Sequence, residues 1–245
     1  MVRLSVNVNK IATLRNARGG DLPNVVQAAR TCIEAGCHGI TVHPRPDGRH
    51  IRVQDVLDLA AMLTVEFNIE GYPSPEFLDL VCRVRPTQCT LVPDAPNVLT
   101  SNAGWDLSGN VAWLGDVLRR LRDHGIRTSL FLDPDPEQVR RAKKLGTDRI
   151  ELYTERYAKM FSTPEREKVF DPYRQAAFVA QEIGLGLNAG HDLNLESLPY
   201  FVQNLPGLLE VSIGHALICD ALYMGLRQAV KAYLRALGAT LCQKS

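Results

Sequence analysis

Short apolar, β-branched runs alternate along this chain with longer stretches in which apolar residues return every three or four positions. Eight of the short runs, at 3–8, 38–43, 66–70, 88–93, 127–132, 148–152, 185–189 and 209–213, have the length and composition of buried strands. The stretches between them carry helix signals. Asp21 precedes an apolar series at Val25, Val26, Ala29 and Ile33, and Gly36 offers a left-handed stop. Ser74-Pro75-Glu76 and Asp135-Pro136-Glu137 each set a capping side chain before a proline at the first helical position, opening helices three and five. Asn110 opens a run with Leu114, Leu118 and Leu121 on one face, closed by His124-Gly125, while 173–183, 194–204 and 216–237 fill the last three units. A spacing of about 30 residues per unit is that of a βα repeat. Eight such units predict an α/β fold, one (β/α)8 (TIM) barrel over 1–245 with additional helices. The departures from a bare barrel are the loop 94–108 and the segment 153–172, rich in charge and in Tyr, Phe and Pro, which are expected to serve as lids or subunit contacts.

The strand ends carry a second pattern. Gly39-Ile-Thr-Val-His43 runs into a loop that adds Arg45 and His50; Phe67-Asn-Ile-Glu70 and Arg149-Ile-Glu151 end in carboxylates; Leu187-Asn188-Ala-Gly-His191 and Val211-Ser-Ile-Gly214-His215 end in imidazoles. In a parallel barrel these ends converge on one rim, so Asn7, His43, Glu70, Glu151, His191 and His215 should surround one cavity. Glu70 follows Phe67-Asn-Ile, whose burial should raise its proton affinity, the condition for a general base working near neutral pH. His38 opens a strand and His124 lies near a helix C-terminus; both read as structural.

Anion binding is indicated in two places. Gly214-His215-Ala216 leaves the eighth strand and enters a helix, directing backbone N–H groups and a positive helix end at the cavity. Arg15 and Arg18 in Leu14-Arg-Asn-Ala-Arg-Gly-Gly, together with Arg45, offer guanidinium forks for oxyanions. Alternation along the first strand places Asn7 and Asn9 toward the barrel interior and Lys10 at the start of a rim loop, able to swing over the cavity as a permanent charge for a phosphate. No metal is predicted: His43, His50, Glu70 and His191 could form a His/carboxylate set, but there is no His-x-His and no His-Glu-x-x-His. A Schiff-base lysine at a strand end would have to be Lys10.

Composition narrows the partner. A length of 245 residues with 45% hydrophobic content supports one large core, and a formal net charge of +1 provides no broad basic field for nucleic acid. The ligand is therefore expected to be small. Six cysteines at 32, 37, 82, 89, 219 and 242 form no Cys-x-x-Cys pair, and four lie inside apolar runs, a reduced, cytosolic pattern. The chain enters a strand at once with no signal-type block, and no window reaches the roughly 18 apolar residues of a membrane span, so a soluble cytoplasmic protein is expected.

Taken in order, Asn7-x-x-x-Ile11-Ala-Thr-Leu-Arg-Asn-Ala-Arg18-Gly, Gly39-Ile-Thr-Val-His43-x-Arg45-x-Asp-x-Arg-His50, Asn68-Ile-Glu70, Leu91-Val-Pro93, Asn188-Ala-Gly-His191 and Ile213-Gly-His215-Ala resemble the pyridoxine 5′-phosphate synthase family over nearly the whole chain. That resemblance implies a condensation of 1-deoxy-D-xylulose 5-phosphate with 3-amino-2-oxopropyl phosphate to pyridoxine 5′-phosphate, inorganic phosphate and water. It implies His43 and Glu70 as proton acceptors, His191 as proton donor and Glu151 as a stabiliser of transition-state charge. It also implies ligand contacts from Asn7, Arg18, Arg45, His50, Thr100, Asp192, Gly214 and His215, no metal or organic cofactor, and a homo-octameric barrel with additional helices. Three departures stand out. The family's usual Asp-His before Ile-Ala-Thr-Leu-Arg is Asn9-Lys10, the glycine usual after the donor histidine is Asp192, and a usual Gly-Arg is Cys219-Asp220. The first bears on contacts to the pentulose phosphate, the others on the surroundings of the site. Two further readings of the same rim are a phosphosugar isomerase or aldolase using Glu70 and a histidine, and a non-catalytic phosphosugar-binding barrel.

Overall fold

The computed structural model describes residues 1–94 and 103–238. Eight strands, β1 (Arg3–Asn7), β2 (Gly39–Val42), β3 (Glu66–Gly71), β4 (Gln88–Leu91), β5 (Arg127–Leu132), β6 (Arg149–Tyr153), β7 (Gly186–His191) and β8 (Leu208–Ile213), close in sequence order into a barrel. Every neighbouring pair is parallel, including β1 with β8. All eight strand expectations hold, with ends shifted by a residue or two.

Period-two alternation sorts the side chains. Leu4, Val6, Ile40, Val42, Ile69, Leu130, Leu132, Ile150 and Leu152 face the helices and are fully buried. The interior positions between them are largely polar and several pair with one another: Ser5 and Thr41 share a hydroxyl hydrogen bond of 2.7 Å, and Thr90 donates to Asn68 Oδ1 at 3.0 Å, whereas Ser129 Oγ, Asn188 Nδ2 and Glu210 Oε2 are buried without a hydrogen-bond partner among the described residues. Arg3 and Arg127 both reach Glu66, and Arg149 donates to Asn188 at 3.2 Å. The barrel is thus a filled polar core below its C-terminal rim, and the next residue up each inward row becomes a candidate for chemistry.

The helices follow their signals in most places. Helix α2 (Val25–Glu34) is capped by Asn24, which accepts from the Gln27 N–H, and Gly36 takes φ +104°. Between β2 and β3 lies α3 (Val53–Met62). Helix α4 (Pro75–Val84) starts under Ser74, α5 (Ala112–Asp123) carries the Leu114, Leu118 and Leu121 face, and α6 (Pro136–Leu145) starts under Asp135. His38 Nδ1 accepts from the Leu4 N–H, and His124 Nδ1 meets the Arg120 carbonyl, so both keep their structural reading.

Three expectations need correction. The rim loop expected after the first strand is a helix, α1 (Asn9–Asn16), short and polar enough to show no clear apolar face. The segment 153–172 holds the end of β6, α7 (Glu155–Met160) and the first turns of α8 (Arg166–Glu182), which continues through Pro172 instead of beginning after it. Most of its aromatics are core, not a lid: Tyr157 and Phe170 are buried with Tyr173 and with Phe201 of α9 (Leu198–Asn204), the Tyr157 and Phe201 rings lying 5.0 Å apart. Finally, the run 216–237 divides into α10 (His215–Met224) and α11 (Leu226–Ala236) at Gly225, whose φ of +82° no other residue type adopts freely. Cys32, Cys37, Cys82 and Cys89 are buried and unpaired. Among the described residues no helix is long and apolar enough to cross a membrane.

Candidate active site

The C-terminal rim encloses a cavity of about 580 Å³. Asn7, Asn9, Lys10, His43, Arg45, His50, Glu70, Glu151, His191, Asp192, Gly214 and His215 all line it, so twelve of the fifteen residues selected from the sequence meet in one place. Of the other three, Arg15 is buried away from it, Arg18 is exposed in the turn after α1 and does not reach this cavity, and Thr100 lies outside the described residues.

Glu70 sits at the centre, its side chain 13% exposed. Asn7 Nδ2 donates to its Oε2 at 3.5 Å, and His43 Nδ1 lies 3.9 Å from the same oxygen. Burial pushes the Glu70 carboxyl up to about 7 and Asp94 adds to this, while His191 and Arg45 oppose it. Glu151, on the inward row of β6, is raised well above the usual carboxylate range by burial, then by Glu70 and Glu210. Two buried carboxyls that feel each other's charge cannot both ionise cheaply, an arrangement that favours one proton acceptor beside one neutral donor. His43 is driven the other way: burial, then Arg45, His50, His191 and Arg49, hold its imidazole neutral. His50 is lowered to about 4 by burial and by Arg45, Lys10 and Arg49, with Asp47 opposing.

His191 owes its place to a backbone irregularity. Along β7 the inward positions are Asn188, bonded to Arg149, and Gly190, packed on Glu151, so simple alternation would turn His191 outward. Its φ of +97° reverses that direction, and the imidazole lies against Tyr153 at 5.3 Å and Phe131 at 6.4 Å between ring centroids. Burial lowers its proton affinity. The hydrogen bond and charge of Asp192, with Glu70 and Glu155, outweigh that and leave it raised.

The cationic side of the cavity differs from the sequence reading at two residues, Arg18, which does not reach it, and Arg15. Arg15 is no oxyanion fork: it is buried and spans both Asp55 carboxylate oxygens at 2.5 and 2.9 Å, while also donating to the His50 carbonyl at 3.0 Å. Its role is to fix the loop that carries His50. Arg45 does line the cavity, paired with Asp94 at 2.8 Å. Lys10 stands in the first turn of α1, not on a loop. Asn9 is the anchor beneath it, its Oδ1 accepting from the His43 N–H at 2.9 Å, and Asn7 Oδ1 accepts from the Asn9 N–H at 3.0 Å. The N-terminus of α10 at Gly214-His215 opens on the same space.

Arg49, Thr13, Val92, Phe131, Tyr153, Glu155 and Ser212 also line the cavity. Val92, Phe131, Tyr153 and Ser212 continue the inward rows and were accessible to a strict period-two count; Thr13 and Glu155 follow from helices the sequence reading did not draw. Among the described residues no group of three His, Cys, Asp or Glu side chains is arranged to hold a metal ion.

Residues 4–239 match the family model of the pyridoxal phosphate biosynthesis protein PdxJ. The chain belongs to this family. PdxJ relatives include a pyridoxine 5′-phosphate synthase of Bacteroides thetaiotaomicron, 58% identical over 95% of this chain and 98% of its own length. One of Flavobacterium johnsoniae is 55% identical over 97% and 100% respectively. Among solved structures, Mycobacterium tuberculosis tryptophan synthase superposes with a TM-score of 0.64 over 98% of this chain and 93% of that one, at 14% identity. Phosphoribosyl anthranilate isomerase from Thermotoga maritima gives 0.62 over 97% and 99%, at 15% identity. These two share with the PdxJ chain its barrel fold.

Proposed function

We propose that this PdxJ-family chain is a pyridoxine 5′-phosphate synthase, joining 1-deoxy-D-xylulose 5-phosphate to 3-amino-2-oxopropyl phosphate with release of inorganic phosphate and water. The observation that carries the reading is the convergence of His43, Glu70, Glu151 and His191 on one cavity whose mouth also holds Arg45, Lys10 and the N-terminus of α10. Imine formation, dehydration and loss of phosphate all move protons between carbon, nitrogen and oxygen, which fixed acids and bases accomplish directly. In this reading Glu70, with a proton affinity near neutrality, and neutral His43 accept protons. His191 donates, and protonated Glu151 hydrogen-bonds to developing negative charge. Asn7, Asn9, Lys10, Arg45, His50, Asp192, Gly214 and His215 bind or orient the two substrates, with Arg18 and Thr100 completing the contacts that the family implies. The working form is a cytoplasmic homo-octamer using neither metal nor organic cofactor.

The test supplies both substrates together and follows pyridoxine 5′-phosphate. An isomerase or aldolase would consume one substrate alone, and a binding module would consume neither. Within the reading, Lys10 provides a permanent charge for the phosphate of deoxyxylulose phosphate. Lys10→Ala is expected to raise the KM for that substrate by roughly tenfold, the scale of one charge-assisted hydrogen bond, with a smaller rise for the amino-ketone phosphate. Lys10→His should restore part of the loss. Equal KM values in Lys10→Ala and the unaltered protein would make Lys10 a bystander. Trapping of a substrate by borohydride only when Lys10 is present would make it a Schiff-base residue instead.

A further inference from the structure

We infer that Asp192 is a positioning residue for the proposed proton donor: its carboxylate holds His191 in one tautomer and sustains the imidazolium. The inference deepens the synthase reading and rests on it for the identity of the reaction.

Its basis is a contact between adjacent residues at the end of β7. His191 Nδ1 lies 2.6 Å from Asp192 Oδ2, a charge-assisted distance, with the two side chains 29% and 31% exposed. Adjacent residues on a regular strand point to opposite faces and could not meet this way. They meet here because His191 adopts φ +97°, a strained conformation for a non-glycine residue. Tyr153 packs against the ring at a near-perpendicular angle and Phe131 at a tilt, so the carboxylate and the two aromatic rings restrict its orientation.

The chemical consequence concerns which nitrogen works. With Nδ1–H donated to Asp192, the proton available for transfer resides on Nε2. When a substrate C–O bond breaks, its electron pair leaves on oxygen, that oxygen takes the Nε2 proton, and water departs; His191 remains as the neutral Nδ1–H tautomer, still bonded to Asp192. The next proton from solvent or from the Glu70 carboxyl restores the imidazolium. A carboxylate on Nδ1 orients the ring and stabilises its charged state, whereas glycine would leave both to the solvent and to other groups. Among the described residues, the charged and titratable groups around the ring include Asp192 beside it, Tyr153 from β6, Glu70 from β3, Glu155 from α7 and His43 at the end of β2. Of these, Asp192 is the one hydrogen-bonded to Nδ1.

The test uses the full-length protein and its Asp192→Asn and Asp192→Gly variants. Imidazole nitrogen NMR on each free protein reads the titration midpoint and tautomer of His191, and the pH profile of kcat reads its use. Both variants should show a lower His191 midpoint and more of the Nε2–H tautomer, and the alkaline limb of kcat should move to lower pH by the same amount. At the wild-type optimum, kcat should fall roughly tenfold or more, as the protonated fraction of His191 drops. Asp192→Glu should recover part of both. A His191 midpoint and tautomer unchanged in Asp192→Asn and Asp192→Gly would overturn the inference, as would an alkaline limb that stays in place while the midpoint falls. Because the imidazole titration needs no turnover, it stands apart from the two-substrate assay, in which an inactive wild-type protein would count against the synthase reading itself.

Discussion

Glu70→Gln is expected to lower kcat by about 10²-fold or more, the ordinary contribution of a general base, while leaving the KM of both substrates within a few-fold. Glutamine keeps the shape of the side chain and can still receive the Asn7 amide, which reaches Glu70 at 3.5 Å. What it cannot do is take a proton. Steady-state kinetics on the two substrates, with binding measured separately by calorimetry, distinguishes loss of chemistry from loss of affinity; undiminished turnover would remove Glu70 from the proton path.

The same carboxyl sets a pH dependence whose sign is fixed. With Glu70 ionising at about 7, a base that must be charged becomes scarce below that value, so kcat/KM should decline as pH falls through 7. Stability runs the opposite way for this group. Between the unfolded carboxyl range and about 7 the folded protein keeps a proton that the unfolded chain has released, so its contribution to folding is greatest at low pH and is lost as pH rises through 7. Glu70→Gln should therefore unfold at higher denaturant than the wild type above pH 7 and show little difference near pH 4. Loss of activity with gain of stability is what a desolvated catalytic base entails, and urea titrations at the two pH values read it directly.

How much of this could be read from the sequence depends on which signal each feature carries. The eight strands stand out because their outward rows are mostly apolar, and the caps Ser74 and Asp135, each followed by a proline, are local chemistry that tertiary context does not override. Glu70 and His43 fall on the cavity by period two, and Glu151 does likewise. His191 is a different case. Counted along the strand it faces outward, and only its left-handed φ, which no residue pattern announced, brings it inside. Arg15 illustrates the opposite failure: an arginine in a polar stretch resembles a ligand fork, but its partner Asp55 is 40 residues away and becomes visible only once the chain has folded. Helix α1 was hidden because eight residues with two buried positions, Ala12 and Arg15, give no amphipathic stripe to count. The aromatic-rich segment after β6 likewise reads as a surface feature until Phe201, contributed by α9, completes its cluster.

Gly190→Ala should be nearly as damaging to turnover as loss of the base, although it alters no ionisable group. A Cβ at this inward position of β7 would lie 2.3 Å from Glu151 Oε1 and 2.9 Å from the backbone oxygen of Ser212. The Ser212 carbonyl belongs to β8, which pairs with β7 at this level, so it has little freedom to retreat. The carboxylate must move instead. Glu151 is buried, and for the transition-state stabiliser proposed above a displacement of about 1 Å is sufficient for roughly 10²-fold in kcat. Overpacking should also cost about 1–3 kcal/mol of stability, small enough for a folded protein to be assayed. Gly109→Ala supplies the control, since its Cβ meets nothing within 4 Å and its effect on stability should stay within about 0.5 kcal/mol, with turnover unchanged. Denaturant unfolding and kcat measured on both variants separate the two effects. A fully active Gly190→Ala protein would mean that Glu151 tolerates displacement, and its place among the catalytic residues would have to be given up.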